Sequence, residues 1–144
     1  MAQINTGRVI LGGLAAGLVI NISESVLNLA VVADETEEIV ASLGVEPASG
    51  AVIGMLVVVG FLIGIATVWL YAAIRPRFGA GPRAAMIAGA VVWALAHLWR
   101  MTDITLFLGL PMSFMMLVLV WTLVESLLAA YVGAWLYQEQ SIDE

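Results

Sequence analysis

Cysteine is absent from this 144-residue chain, and charged side chains are scarce. Without cysteine there is no disulfide, thiolate metal ligand, iron–sulfur cluster or cysteine nucleophile. Charged residues make up 11% of the chain and only five residues are Lys or Arg, so nucleic-acid binding has no electrostatic basis. Hydrophobic residues make up 62%, which is more than a soluble domain of this size can bury. Lipid must therefore be the solvent for much of the surface.

Four apolar stretches are each about as long as a membrane-crossing helix, which needs roughly 20 residues. They cover about residues 9–32, 51–74, 84–101 and 112–137. Strands are disfavoured because no alternating pattern of strand length is present and an open sheet edge cannot face lipid. The sequence therefore predicts an all-α membrane protein, in which residues 1–144 form one four-helix transmembrane bundle.

Proline, glycine and acidic residues mark the predicted connections. An outer acidic loop over residues 34–50 follows the first stretch, and residues 37–43 within it can form a short interfacial helix. The second connection, residues 75–83, is predicted to be a tight turn because its prolines and glycines end one helix and start the next. The third connection is predicted over residues 102–111.

The arginines predict the orientation of the bundle. Four of the five lie before the first stretch or in the second connection, on one side of the membrane: Arg8, Arg75, Arg77 and Arg83. Only Arg100 lies on the opposite side. The positive-inside rule therefore predicts that both chain ends are cytoplasmic and that the acidic loop is outside.

Short matches between the two halves suggest a repeated helical hairpin. Residues 16–21 align with residues 88–93, and Trp-Leu-Tyr occurs at both 69–71 and 135–137. Two parallel hairpins related by an axis along the membrane normal would explain these matches. The simpler interpretation, which we prefer at this stage, is an aromatic belt at the membrane interface.

Polar side chains inside the apolar stretches are the main functional candidates. Their helical spacing puts Asn21, Glu24 and Asn28 on one face of the first helix. An unpaired charge within a membrane costs at least ~2.5 kcal/mol, so we expect such groups to meet inside the bundle. The predicted intramembrane cluster consists of Asn21, Glu24, Asn28, His97, Arg100 and Glu125.

Glycines predict where the helices approach one another closely. Gly13 and Gly17 extend the polar face of the first helix, and Gly60 and Gly64 form a small-xxx-small motif on the second. We therefore expect these four glycines to lie in helix–helix contacts rather than against lipid.

Three functions remain open for the polar cluster. The preferred one is a structural network in a non-enzymatic accessory or structural subunit, where polar contacts fix helix register without a ligand. The second is a small proton-linked transporter or channel that uses Glu24, His97 and Glu125, with one glutamate protonated and His97 paired with the other. The third is a metal site formed by the same three residues, or a tetrapyrrole ligated by His97.

Enzymatic and cofactor motifs give little further guidance. No phosphate-binding loop or nucleophile elbow is visible, so an enzyme is disfavoured. No metal motif supports the metal alternative, and the expectation is that no cofactor is bound. The expected partners are the lipid bilayer and either a second copy of the chain or a larger membrane complex.

The connection between the second and third stretches carries a family resemblance. Residues 69–83, followed by Ala88 and Gly89, resemble a group of uncharacterised bacterial membrane proteins of about this length. A glutamate in the first helix and another in the fourth also recur in that group. The resemblance implies a location in the bacterial inner membrane, but it implies no activity and transfers no functional residue.

Overall fold

The computed structural model describes residues 4–138, and all regular secondary structure among them is helical. The elements are α1 Thr6–Val26, a first π-helical turn Leu27–Val31, α2 Ala33–Leu43, α3 Gly50–Phe78, α4 Pro82–Trp93, a second π-helical turn Ala94–Leu98, α5 Trp99–Leu108 and α6 Met112–Leu136. Four spans are long and apolar enough to cross a membrane: Thr6–Val31, Gly50–Phe78, Pro82–Leu108 and Met112–Leu136. The predicted all-α architecture with four membrane-length helices is confirmed.

Ordinary capping chemistry defines several helix ends. The Asn5 side chain accepts a hydrogen bond from the Arg8 N–H at 3.1 Å and so caps the start of α1. Ser49 caps α3 in the same way. Pro82 occupies the first turn of α4, where its missing N–H costs no helical hydrogen bond. Gly109 ends α5 at φ 66°, a conformation that glycine adopts without strain.

Two connections between membrane spans are shorter than the sequence predicted. The expected turn over residues 75–83 shrinks to residues 79–81, because α3 continues through Pro76 to Phe78. The expected loop over residues 102–111 shrinks to residues 109–111, because α5 continues to Leu108. Polar residues had interrupted the apolar pattern there, but a helix needs only backbone hydrogen bonds to continue.

The predicted outer acidic loop, residues 34–50, is also largely helical. Helix α2 covers Ala33–Leu43, which is longer than the expected short helix over residues 37–43. Asp34 and Glu35 lie in its first turn, where negative charge is favourable beside the free N–H groups of the helix end. Only residues 44–49 then connect α2 to α3.

The four membrane spans form a ring in the order α1, α3, α4 and α6. Helix α1 packs against α3 and α6, and α4 packs against the same two helices. Helices α3 and α6 also touch across the centre, so α1 and α4 occupy opposite corners. We call the end with Asn5, residues 79–81 and Tyr137 the terminal face, and the end with α2 and residues 109–111 the acidic face.

Glycines set the close contact between α1 and α3. A Cβ atom added to Gly17 would lie 2.6 Å from the Phe61 ring, and one added to Gly13 would lie 2.5 Å from the Ile65 backbone. Gly64 faces both α1 glycines at similarly short range. The helices can approach this closely only because these positions have no side chain.

Glycines outside the predicted set serve the other helix crossings. A Cβ on Gly12 would lie 2.5 Å from the Gly133 carbonyl oxygen, at the crossing of α1 and α6. A Cβ on Gly89 would lie 2.9 Å from Ala130 Cβ, at the crossing of α4 and α6. Close contacts at glycine therefore occur at three of the neighbouring helix pairs, α1–α3, α1–α6 and α4–α6.

The α1–α3 and α4–α6 hairpins have matching glycine contacts when residues 16–21 are aligned with residues 88–93. Gly17 of α1 packs against Phe61 of α3, and the aligned Gly89 of α4 packs against Leu127 of α6. When the two Trp-Leu-Tyr segments are aligned, Phe61 and Leu127 fall at the same position. The α1–α3 and α4–α6 hairpins therefore share this contact.

The two tyrosines of the Trp-Leu-Tyr segments also have matching environments. The Gly81 N–H donates to Tyr71 Oη at 3.1 Å, and the Asn5 N–H donates to Tyr137 Oη at 3.4 Å. Gly81 and Asn5 are the N-cap residues of α4 and α1. The two rings meet edge to face with centroids 5.9 Å apart. These matched contacts favour the repeated hairpin over an aromatic belt alone.

Candidate intramembrane polar site

Glu125 is the most deeply buried charged side chain among residues 4–138, with 2% of its surface exposed. It lies on α6, on the helix face that packs into the ring. Neither carboxyl oxygen has a hydrogen-bond partner among the described residues. The Ser23 hydroxyl lies beside the carboxyl without the geometry of a hydrogen bond, and Glu24 lies within Coulombic range. The site therefore has a buried acceptor group that the rest of the described chain leaves unpaired.

Ser23 is held in place by a tryptophan from α6. Trp121 Nε1 donates to Ser23 Oγ at 2.9 Å, one helical turn before Glu125. The serine oxygen is the acceptor in this bond, so its hydroxyl hydrogen remains able to turn towards a carboxylate. The Trp121–Ser23 bond thus fixes α1 and α6 relative to each other at the level of the buried carboxyl.

Glu24 lies next to this pair and is half-buried. Its Oε2 accepts a hydrogen bond from Asn28 Nδ2 at 2.9 Å, and the same amide donates to the Glu24 backbone carbonyl at 2.8 Å. Asn28 is exposed and belongs to the first π-helical turn. Arg100 acts on Glu24 through Coulombic attraction. Glu24 is therefore held between a buried carboxyl and polar groups that reach the surface of the bundle.

His97 has a different environment from the predicted one. It belongs to the second π-helical turn, and its buried Nε2 has no hydrogen-bond partner among the described residues. Its electrostatic neighbour is Arg100 rather than either glutamate. The predicted pairing of His97 with a glutamate is therefore not found. Glu24 is out of its reach because α1 and α4 occupy opposite corners of the ring, and Glu125 of the neighbouring α6 is not its electrostatic partner either.

The predicted metal ligands do not come together. Over residues 4–138, no group of three or more His, Asp or Glu side chains is placed so that it could hold a metal ion. The set of Glu24, His97 and Glu125 is therefore not a metal site in this structure. The sequence argument placed all three at one depth, but depth alone does not decide which corners of the ring they occupy. Ligation of a tetrapyrrole by His97 stays a prediction.

Asn21 serves helix packing rather than the cluster around Glu125. Its amide nitrogen donates to the Gly17 carbonyl at 2.8 Å and to the Val57 carbonyl at 3.2 Å. A Cβ added to Gly60 would lie 2.8 Å from the same amide. The predicted cluster thus divides into an α1–α3 contact at Asn21 and a group around Glu24, Asn28, Arg100 and Glu125.

A second polar contact, which the sequence did not indicate, joins α4 to α6. Trp93 Nε1 donates to the Leu119 carbonyl and to Thr122 Oγ1, both at 3.2 Å. Thr122 is 1% exposed and donates to the Val118 carbonyl at 2.8 Å. All polar atoms in this contact have partners, in contrast to the Glu125 carboxyl. Tryptophan and threonine are common in apolar helices, so their pattern alone gives no signal for the contact.

Comparisons with known proteins found no similarity that bears on this site: no family model, no curated protein and no solved structure matches the chain. The resemblance to small bacterial membrane proteins stays a prediction. The functional argument depends on the geometry of the polar site alone.

Proposed function

We propose that this protein binds and releases a proton at Glu125, as a small proton-linked transporter or channel. The observation that carries the proposal is the buried Glu125 carboxyl, both of whose oxygens lack a hydrogen-bond partner among the described residues. A buried polar network stabilises a fold only when its members are satisfied. An unsatisfied carboxyl inside a membrane is instead typical of ion and proton pathways.

The chemistry around Glu125 favours a proton over a metal cation. Its polar neighbours are the Ser23 hydroxyl and the Glu24 carboxyl. Hard cations such as Ca²⁺ need about six to eight oxygen ligands, and Mg²⁺ needs octahedral coordination. A proton needs only one carboxyl oxygen and a neighbouring group to accept or supply it.

The orientation and cellular location are part of the same proposal. Arg8, Arg75, Arg77 and Arg83 lie at or near the terminal face, which supports a cytoplasmic position for that face. The chain ends themselves, residues 1–3 and 139–144, lie outside the described residues. We place the protein in a bacterial inner membrane, as the sequence resemblance implies. Four helices enclose little space, so we expect the working form to be a homodimer.

Proton flux into liposomes tests the proposal directly. Purified protein is reconstituted with a pH-sensitive dye inside the vesicles, and a potassium diffusion potential drives proton entry. We expect flux with the natural chain and loss of flux with Glu125→Gln, which keeps the side-chain shape but cannot exchange a proton at this position.

Ser126→Ala is the matched control for this experiment. Ser126 is the next residue of α6 and is also buried, with 5% of its surface exposed. We expect this variant to fold and to conduct protons as the natural chain does. A folded Glu125→Gln variant with unchanged flux would show that Glu125 is not the proton-binding group.

An accessory or structural subunit is the second candidate function. The bonds of Trp121 to Ser23 and of Trp93 to Thr122 favour it, because they join helices and need no ligand. Absence of proton flux from the natural chain, together with a strong loss of stability in Glu125→Met, would support this function. Co-purification with a distinct membrane polypeptide would then be the next measurement.

A further inference from the structure

The half of the bundle towards the terminal face is sealed. Ala16, Ala84, Ala85 and Ala88 each have 0% of their surface exposed. The glycine crossings of α1 with α3 and of α1 with α6 lie in the same half. Backbone therefore packs against backbone on this side of Glu125, which leaves no room for a polar path.

The half towards the acidic face is open by comparison. Residues 50–59 of α3 are all exposed, although the Val57 carbonyl accepts a hydrogen bond from Asn21. A Cβ on Gly54 would meet no atom within 4 Å. Asn28 and Arg100 are also exposed in this half. Helix α3 therefore does not close over the polar side chains of α1 as it does in the sealed half.

Polar groups form a graded series from this open half to the buried site. Asn28 is exposed, Glu24 is half-buried and Glu125 is buried. Asn28 donates to Glu24 Oε2, and Glu24 lies within Coulombic range of Glu125. The Ser23 hydroxyl lies beside the last carboxyl. Towards the terminal face the described buried side chains are mainly alanine, and the polar ones are Ser126, Thr67, Tyr71 and Tyr137. No Asp or Glu lies among the described residues of that half, so it has no carboxyl relay comparable to Glu24.

We propose that Glu24 relays protons between the acidic face and Glu125, and that in this conformation Glu125 exchanges protons with that face only. This inference rests on the proposed function for what is exchanged. In the inward step the O–H bond of protonated Glu24 breaks and an O–H bond forms on the Glu125 carboxylate. A hydronium ion at the acidic face then protonates the Glu24 carboxylate and leaves as water.

Other charged groups around the relay set its electrostatic environment. Arg100 acts on Glu24 from the third span, and His97 of the same span interacts with Arg100 rather than with either glutamate. The intramembrane part of α3, residues 50–74, has no Asp, Glu, His, Lys or Arg. From α6 the facing groups are Glu125 itself and Trp121, which is bound to Ser23. Arg100 is thus the one cation among the described residues with a Coulombic effect on Glu24.

Cysteine accessibility tests the one-sided route. The chain has no natural cysteine, so single-cysteine variants need no background replacement. A charged, membrane-impermeant methanethiosulfonate reagent is added to one side of oriented proteoliposomes, and labelling is read by mass spectrometry. Ala80→Cys and Glu46→Cys mark the terminal and acidic faces respectively.

We expect Asn28→Cys and Ser23→Cys to be labelled from the acidic face and not from the terminal face. Ala129→Cys and Thr67→Cys, in the sealed half, should be labelled from neither face. Leu29→Cys is the matched control: it adjoins Asn28, but its side chain is 79% exposed on the apolar surface, where the thiol does not ionise and should not react. Labelling of Ser23→Cys from the terminal face would overturn the proposal.

The relay role of Glu24 needs a measurement of its own. Glu24→Gln should lose proton flux while Ser23→Cys in that background is still labelled from the acidic face. Glu24→Asp should restore flux, because a shorter carboxyl still carries a proton. Full flux with Glu24→Gln would overturn the relay. The proposed function would still be supported in that case if Glu125→Gln loses flux. The two variants therefore distinguish failure of the relay from failure of the proposed function.

Discussion

The two halves of the bundle are built on different principles. Towards the terminal face, glycine and alanine let four helices approach to backbone contact. Towards the acidic face, α3 stands away from its neighbours and polar side chains occupy the space between helices. Lipid gives apolar helices no hydrophobic reason to associate, so close packing of small residues has to supply the attraction.

Because of this difference, the sealed half mainly provides stability, whereas the open half carries the groups that can bind a ligand. The sealed half gains van der Waals contact between small residues, and the Tyr71 and Tyr137 hydroxyls accept hydrogen bonds at its outer end. The open half keeps an unpaired carboxyl, which costs stability but gives the bundle a group that can bind a ligand. If this division is correct, substitutions in the two halves should affect different measurements.

The largest effect should come from crowding the α1–α3 crossing. Gly64→Leu places a side chain against Gly13 and Gly17, where even a Cβ is too close. We expect a loss of roughly 1–3 kcal/mol in the free energy of unfolding, or failure to fold. Gly54→Leu on the same helix is the control, since its Cβ meets open space. Unfolding in mixed detergent micelles, monitored by circular dichroism, gives the free energy of unfolding of both variants. Equal losses in the two variants would contradict the division into halves.

A smaller effect should follow from removing the Trp121–Ser23 hydrogen bond. Trp121→Phe keeps an aromatic ring but loses the indole donor. We expect a loss of about 1 kcal/mol in the free energy of unfolding. Trp135→Phe, at a position 78% exposed on the same helix, should change it little. Equal effects of the two variants would mean that the bond does not stabilise the open half.

The two tyrosine hydroxyls test the repeated hairpin. Tyr71→Phe and Tyr137→Phe each remove one acceptor from an N-cap N–H in the sealed half. We expect each to lower the free energy of unfolding by about 0.5–1 kcal/mol, with the larger loss for Tyr71 because its bond is shorter. The same unfolding measurement determines the loss in each tyrosine variant. A large loss from one variant and none from the other would show that the matched contacts are not equivalent.

Glu125→Met should cause no loss of stability, although this variant should lose proton flux. Methionine has a similar volume and leaves no polar atom unpaired in the site. We expect the free energy of unfolding to stay the same or to rise by about 1 kcal/mol. A strong loss of stability would indicate that the carboxyl has a structural partner and would favour the accessory-subunit function.

Hydropathy was sufficient to predict the four spans, because apolar composition over membrane length directly reflects contact with lipid. It could not locate the ends of α3 and α5, since a helix can continue through a charged residue such as Asp103, and through Pro76 with the loss of one backbone hydrogen bond. The glycines that pack α1 against α3 were recognisable from their spacing. Gly12, Gly89 and Gly133 were missed because they have no partner glycine four residues away.

The polar site was predictable only in part. Helical spacing correctly brings Glu24 and Asn28 to one face, where they share a hydrogen bond. Spacing could not show which helices are neighbours in the ring, and His97 was therefore assigned to the wrong electrostatic partner. Ser23 lies outside the three-and-four spacing and was overlooked for that reason.

The second π-helical turn, Ala94–Leu98, has a consequence for how the chain tolerates changes in length. A π turn holds about one residue more than an α-helical turn. Deleting one residue there can convert the turn to α-helix while the segments on both sides keep their orientation. The same deletion in the middle of α6 would rotate everything beyond it by about 100°. Insertions and deletions in homologous sequences should therefore concentrate at residues 94–98 of the third span.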